Sequence, residues 1–359
     1  PTMVGMVVSA LYSVVDAYFV GGLGDSQMGA ISIVFPIVQL VVGLGMTFGC
    51  GAGSSISRLL GKGDKDGANR MASTALFTAI AVGIIAILTS LLFLDRFLRG
   101  LGSTENMLPF AREYALIYIP GAIFNIFNVC MNNIVIAEGR ARLNLVSMLM
   151  GCGLNVVLDP ILIYPLGMGV AGAAFATVVA QAATTIMYLV FILSKKGTLR
   201  FSIKQLSFDG AIFKSILSIG IPVFMFQLVS SISMSLTNAA AKPYGDSAIA
   251  AMGTVVRIMT LGTYVVFGFM KGFQPLVGYN YGAKQYGRVK QAIRLSLIWS
   301  TVFCTMTAIT FFVFPSQIVA LFSKEGGQMV EIGAKALRAN ACIFPLFGFQ
   351  MVYMALFLA

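Results

Sequence analysis

The 359-residue chain is 58% hydrophobic and only 10% charged, whereas ordinary soluble domains are about 25% charged. Apolar runs of about 20 residues recur along its whole length, which is the pattern of membrane-spanning helices. The net charge of +11 does not indicate nucleic-acid binding, because the basic residues are spread over alternate loops. The chain has no histidine and no cysteine spacing typical of metal sites, so proton chemistry has to use carboxylates.

Ten apolar segments predict ten membrane spans. Asp16 interrupts the first segment, which argues against a cleaved signal peptide there. The segments are 1–21, 28–57, 71–94, 110–137, 143–164, 169–194, 213–240, 248–279, 291–314 and 332–359.

The basic residues differ between the two sets of loops. Loops after even-numbered spans, together with the span ends that adjoin them, carry 15 lysines and arginines, and those after odd-numbered spans carry seven. The positive-inside rule assigns the richer set to the cytoplasm. We therefore expect the first span to run outward from a cytoplasmic N-terminus.

An internal repeat divides the chain. Gly24-Asp25-Ser26 recurs as Gly245-Asp246-Ser247. We call the interval from Gly24 to Gly245 the repeat offset. The same offset relates Gly51 to Gly272, Gly61 to Gly282 and Pro1 to Pro222. Six spans separate the copies, so both have the same orientation and form a parallel repeat. We predict an N-terminal lobe over 1–195, a cytoplasmic amphipathic linker over 196–212 and a C-terminal lobe over 213–359.

The two predicted lobes differ in length. The first holds six predicted spans and the second holds four. We therefore expect the natural chain to have twelve spans, with two more after Ala359 and a short segment before Pro1.

Two carboxylates, Asp16 and Asp159, lie inside predicted spans. A charge at the centre of a membrane costs at least about 2.5 kcal/mol, so such residues usually have a function. Tyr12 lies one helical turn from Asp16, and Asn155 lies one turn from Asp159. Helix rise places Asp16, Asn155, Asp159 and Thr177 at a similar depth, in the outer half of the first lobe.

These groups suit a hard cation such as Na⁺ or a proton. Two neighbouring buried carboxylates cannot both ionise cheaply, so one of them tends to hold a proton. Pro160 removes a backbone donor beside Asp159 and is a candidate hinge. The alternative is that each aspartate only joins helices through hydrogen bonds. The repeat disfavours it, because Asp16 aligns with Thr237 and the second half has no acid within a span.

The substrate path is expected between the lobes, where some of the 20 methionines and 28 phenylalanines would provide an adaptable lining. Lys271 is interpreted as a side chain that extends to the membrane surface. Polar candidates for the cavity are Gln39, Gln181, Gln227, Gln274 and the mid-span Arg257.

Three segments carry a resemblance to a known family. They are Tyr12-x3-Asp16-x-Tyr-Phe-Val-Gly-Gly-Leu-Gly-Asp, Asn155-x3-Asp159-Pro-Ile-Leu-Ile-Tyr and Gly-Val-Ala-Gly-Ala-Ala-Phe-Ala-Thr177. In this ordered set the chain resembles the multidrug and toxic compound extrusion (MATE) family, in its bacterial multidrug branch.

The resemblance implies an all-α membrane protein of two six-helix lobes in the bacterial inner membrane. It implies antiport, in which H⁺ or Na⁺ entry drives export of lipophilic and often cationic drugs and dyes. Members with a first-lobe cation site use residues that match Asp16, Asn155, Asp159 and Thr177. Some relatives also carry an acid in the seventh span, where the nearest polar residue here is Gln227. We expect no cofactor beyond the coupling ion, no nucleic-acid partner and a working monomer.

Other functions remain open. A lipid-linked oligosaccharide flippase of the same superfamily would be expected to line its cavity with several cations, and only Arg257 is a clear candidate. An intramembrane enzyme lacks support from any histidine, metal or Ser–Lys constellation in the sequence. A purely structural membrane protein would not need the intramembrane acids.

Overall fold

The computed structural model describes residues 1–21, 25–101, 107–241, 246–320 and 328–359. Some side chains within 13–32, 231–257 and 328–329 are outside this description, among them those of Asp16 and Arg257. The described residues form helices and no strand. These are α1 (Thr2–Gly21), α2 (Asp25–Lys62), α3 (Lys65–Leu92), α4 (Leu94–Gly100), α5 (Leu108–Ala137), α6 (Ala141–Ile163), α7 (Gly169–Leu193), α8 (Gly210–Ala241), α9 (Asp246–Gly282), α10 (Tyr286–Val313), α11 (Pro315–Ala320) and α12 (Gln328–Phe357).

The ten long helices match the ten predicted spans, and the all-helical membrane fold is confirmed. Within the described residues, nine segments are long and apolar enough to cross a membrane, and α1 contributes the shorter apolar stretch Thr2–Tyr12. The longest helix, α2, has 38 residues, a length of about 57 Å. A hydrocarbon core is only about 30 Å thick, so α2 extends beyond it.

The two halves repeat each other in detail. Helix α3 begins at Lys65 and ends at Leu92, and α10 begins at Tyr286 and ends at Val313. Both pairs of ends are related by the repeat offset. The turns before them also correspond, because Gly63 and Lys284 both have positive φ, 82° and 57°. The parallel repeat predicted from a few glycines is therefore confirmed by the helix boundaries.

Two short helices, α4 and α11, occupy stretches that the sequence analysis assigned to span ends and loops. They are also related by the repeat: Leu98 of α4 and Val319 of α11 are equivalent positions, and both are fully buried. Seven and six residues are too few to give the long apolar run that identifies a span. This is why the sequence did not reveal them.

The segment between α7 and α8 is held to the first lobe by polar contacts. Ser73 and Asn69 of α3 bond the backbone of this segment, with Ser202 N donating to Ser73 Oγ at 3.2 Å and Arg200 N donating to Asn69 Oδ1 at 2.8 Å. Glu138, whose side chain is 1% exposed, accepts from Thr198 N and Leu199 N. One turn of 3-10 helix, Ile203–Gln205, follows.

The halves meet mainly through α2, which packs on α8 and α9, and through α1, which packs on α9. Near Lys62 and Gly282 the contact is symmetric. A Cβ on Gly61 would overlap the carbonyl oxygen of Tyr279, and a Cβ on Gly282 would overlap that of Arg58, the position equivalent to Tyr279 in the first half. We call this side of the bundle, at the Lys62 and Gly282 ends of α2 and α9, the basic end. Here the two halves are in backbone contact.

Candidate cation site in the first lobe

Helix α6 brings Asn155 and Asp159 to one face, since residues four apart in a helix lie one above the other. Both side chains are buried: Asn155 is 2% exposed and Asp159 is 0% exposed. Pro160 follows directly, and α6 continues through it to Ile163. The carboxylate that the sequence singled out is therefore enclosed by protein rather than facing lipid.

Three helices meet at the Asn155 amide. With its nitrogen toward the carboxylate, Asn155 donates to Asp159 Oδ2 at 2.7 Å and to the Tyr12 hydroxyl at 3.2 Å, and its oxygen accepts from Thr177 N at 3.1 Å. The opposite orientation would set two oxygens against each other, so the hydrogen-bond network fixes the amide. The Thr177 hydroxyl is also near, with its Oγ1 3.3 Å from the amide.

Helix α1 is joined to α6 at two levels. One is the contact of Tyr12 with Asn155, and the other is the Tyr164 hydroxyl, which donates to the backbone oxygen of Phe19 at 2.9 Å. The structure thus brings together Tyr12, Asn155, Asp159 and Thr177 of the predicted site. The side chain of Asp16 lies outside the described residues, so its part in this site stays a prediction.

The arrangement can bind a proton or a hard cation. A separation of 2.7 Å between the amide and Asp159 Oδ2 fits a hydrogen bond in either direction. An ionised carboxylate accepts from the amide nitrogen, and a protonated one donates to the amide oxygen after the amide turns over. The same turn would direct an amide oxygen toward a cation. Within the described residues no three His, Cys, Asp or Glu side chains converge as ligands, and one carboxylate with amide and hydroxyl oxygens fits Na⁺ better than a transition metal.

Between the lobes, α2 and α8 line a cavity of about 330 Å³. Gln39 and Gln227, two of the predicted polar positions, face it from opposite helices. The rest of its lining is apolar, from Pro36, Leu40, Phe224, Leu228, Ile232 and Leu236. Few polar groups on an apolar wall are typical of small-molecule sites, and the role of the two glutamines in binding stays a prediction.

The other predicted cavity residues lie elsewhere. Gln181 is inside the first lobe, where Asn128 Nδ2 donates to its Oε1 at 2.8 Å. A polar residue in a span can bond a neighbouring helix instead of lining a cavity. Gln181 does so, as part of a hydrogen-bond network between α5 and α7. Gln274 lines a second, smaller cavity, and its Nε2 donates to the Leu358 oxygen at 2.8 Å. The side chain of Arg257 lies outside the described residues.

Sequence reasoning missed Lys271. Its side chain faces that smaller cavity together with Cys50 and Asn133, so it does not extend to the membrane surface as interpreted. The signal was present in the sequence, because Cys50 and Lys271 are related by the repeat offset and the glycines that flank them in the repeat already matched.

The fold and the buried polar network define a multi-pass membrane transporter built from two parallel repeats. The model of the MatE family matches residues 1–161 and 222–359, and the chain belongs to this family, which makes it a secondary transporter and not an enzyme.

Relatives and solved structures are similar over nearly the whole chain. The chain is 30% identical over 354 residues to the multidrug export protein MepA of Staphylococcus aureus strain MSSA476, covering 98% of the chain and 78% of the relative. A structure described as the outward-facing conformation of a multidrug resistance MATE transporter of the MOP superfamily matches with TM-score 0.94 and 30% identity, over 100% of this chain and 80% of that one.

A further structure comes from Pyrococcus furiosus and has TM-score 0.93 and 30% identity, over 100% of this chain and 80% of that one. It is described as a MOP superfamily transporter in which reverse polarity of the binding pocket suggests a different function.

Proposed function

We propose that the chain is a multidrug exporter in which entry of H⁺ or Na⁺ drives the outward movement of lipophilic, often cationic compounds. The observation that carries the proposal is the fully buried Asp159, bonded to Asn155, which in turn contacts α1 and α7. Secondary transporters need a site whose charge changes on loading, and an enclosed carboxylate supplies it. The similarity to a multidrug export protein supports the substrate class.

Coupling follows from the way the network joins three helices. A proton on Asp159 removes its negative charge and reverses the direction of its bond to Asn155, whereas Na⁺ would compensate the charge and draw the amide oxygen toward itself. In both cases Asn155 is displaced, and Asn155 also bonds Tyr12 of α1. Because α1 packs both on α6 and on α9 of the other lobe, a change at the ion site reaches the interface between the lobes. The two ligands then weaken each other's binding by the same factor, as linkage requires.

Alternating access follows from the same interface. The backbones of the two halves touch at the basic end, whereas the 330 Å³ cavity lies farther along α2, around Pro36 and Leu40. This arrangement supports a state closed at the basic end, and in the proposed cycle a rocking of the lobes about the α2–α9 contact opens that end.

The orientation rests on charge. The loops at the basic end belong to the set with 15 basic residues, which the positive-inside rule assigns to the cytoplasm. We place the protein in a bacterial inner membrane with a cytoplasmic N-terminus. A single chain supplies both walls of the cavity, which supports the proposal of a working monomer.

The test is export of a cationic dye from liposomes containing the protein, driven first by a pH gradient and then by a Na⁺ gradient. We expect one gradient to drive export, and Asp159→Asn to abolish it because the amide neither releases a proton nor attracts a cation. Asp66→Asn, which removes an exposed carboxylate at the basic end, is the matched control and should leave export unchanged.

Two outcomes would contradict the proposal. If gradient-driven export survives in Asp159→Asn, the first-lobe site is not the coupling site. If the wild-type protein moves no dye under either gradient, while a lipid-linked oligosaccharide crosses the bilayer, the protein is a flippase and not a drug antiporter.

A further inference from the structure

A cavity of about 20 Å³ lies between the lobes, separate from the cation site. Its polar lining consists of Lys271 and Gln274 of α9, Asn133 of α5 and Cys50 of α2. A volume of this size holds about one water molecule or one oxygen of a bound group. The cavity is therefore a small pocket with several polar groups, in an interface that also contains the hydrogen bond between the Ser55 and Ser215 hydroxyls.

The pocket lies on the symmetry axis of the repeat. Cys50 and Lys271 are equivalent positions, and they face the same cavity. Two helical turns nearer the basic end, the equivalent positions Ser57 and Gly278 are again in contact. Helices α2 and α9 thus run side by side along the axis between the two halves.

Lys271 lies deep in the protein. It precedes the end of α9 at Gly282 by about three helical turns, which corresponds to about 16 Å of helix. Its side chain is partly buried against the first lobe. None of the ion pairs in the described residues involves it, and no described carboxylate lines its pocket. A cation that faces the interior of a membrane bundle usually marks a binding pathway.

The neighbouring groups favour an anion. Asn133 and Gln274 each use one amide hydrogen on a backbone oxygen, Val129 O and Leu358 O at 2.8 Å, and each amide nitrogen carries a second hydrogen. The Cys50 thiol already directs its single hydrogen to Asn133 Oδ1 at 3.4 Å, so the amide nitrogens are the donors left for a bound group. An ammonium ion with amide donors beside it is the usual environment for a carboxylate.

We propose that Lys271, with Asn133 and Gln274, forms a subsite for a carboxylate carried by an exported compound. The inference rests on the proposed export function and defines one of its substrate classes: apolar molecules with a carboxylate, including zwitterions. The carboxylate would meet Lys271 when the lobes separate at the basic end, before the molecule enters the larger apolar cavity.

Fluorescence anisotropy titrations of the protein in nanodiscs test the proposal with a matched pair of dyes, rhodamine B with its free carboxylate and the ethyl ester of the same dye. We expect the wild type to prefer the acid. Lys271→Gln should weaken binding of the acid about tenfold, equivalent to about 1.4 kcal/mol, and leave binding of the ester unchanged. Lys271→Arg should keep the preference, and Lys290→Gln, an exposed lysine of α10, is the control.

Equal affinity of the wild type for acid and ester, or a preference that persists in Lys271→Gln, would overturn the subsite. Retained binding of the ester shows that the variant is folded. Gradient-driven export of the cationic ester measures the proposed function independently, so loss of the subsite and loss of export are distinguishable.

Discussion

Tyr12 connects α1 to the buried carboxylate through a single hydroxyl group. The hydroxyl lies 3.2 Å from the Asn155 amide, which is itself 2.7 Å from Asp159 Oδ2. The side chain therefore joins the network without being the group that changes charge. Substitution of Tyr12 would therefore test how a change at Asp159 reaches α1, without altering the carboxylate that binds the ion.

Tyr12→Phe removes the hydroxyl and keeps the ring. One neutral hydrogen bond contributes about 0.5–1.5 kcal/mol, so we expect gradient-driven dye export to slow about two- to tenfold while the affinity for the dye stays the same. Initial export rates and equilibrium dye binding measure the two quantities. Tyr286→Phe, at an exposed position of α10, should alter neither. A variant with unchanged export would show that α1 is not driven through this contact.

Some site residues follow from the sequence and others do not. Asn155 and Asp159 were predictable together because helical spacing alone places them on one face. Gln181 and Lys271 were misplaced for a common reason: a polar residue in an apolar span shows that some interior partner exists, without showing whether a neighbouring helix or the other lobe provides it. Only the packing of the helices shows that Gln181 is bonded by Asn128 within the first lobe, whereas Lys271 faces a cavity between the lobes.

At the scale of helices, α2 and α9 carry the contact between the halves. Small residues allow it: Gly61 and Gly282 each lie against a backbone carbonyl of the opposite helix, and Gly278 lies against the Ser57 hydroxyl. Small residues let membrane helices approach closely. The contact is therefore expected to be sensitive to a single added methyl group.

Gly282→Ala would place a methyl group on the Arg58 carbonyl and force the basic ends of the two helices apart. We expect export to fall at least tenfold, because one of the two end states no longer closes. Spin labels introduced as Lys65→Cys and Tyr286→Cys, equivalent exposed positions at the basic end, should report a longer distance in this variant by double electron–electron resonance.

Gly287→Ala is the matched control. It lies five residues farther along the chain, in the first turn of α10, and no atom comes within 4 Å of the place where its Cβ would be. It should leave both the distance and the export rate unchanged. An unchanged label distance in Gly282→Ala would show that the glycine contact does not hold this side closed.

The sequence predicted the long helices and missed the short ones. Hydropathy identifies an element by its length, so α2 and α12 were visible and α4 and α11 were not. The repeat contained the missing information, since the buried Leu98 and Val319 are related by the repeat offset.

At the scale of the whole molecule, the two halves share a backbone plan but differ in chemistry. Asp159 and Asn155 are buried in the first half, whereas Lys271 faces the interface from the second. Equivalent positions, such as Cys50 and Lys271, have diverged while the glycines beside them are retained. In the proposed mechanism this division gives the first lobe an ion site and the second lobe a substrate contact, linked by the α2–α9 contact.

The central claim is that cation loading at Asp159 and drug binding between the lobes oppose each other. Its most direct test is the affinity of the purified protein for a cationic dye, measured over a range of pH and of Na⁺ concentration. We predict that dye affinity falls as one of the two ions loads the site, by about 5- to 150-fold at saturation, and that Asp159→Asn removes this dependence. Dye affinity that is independent of both ions in the wild type, or an equal ion dependence in Asp159→Asn, would contradict it.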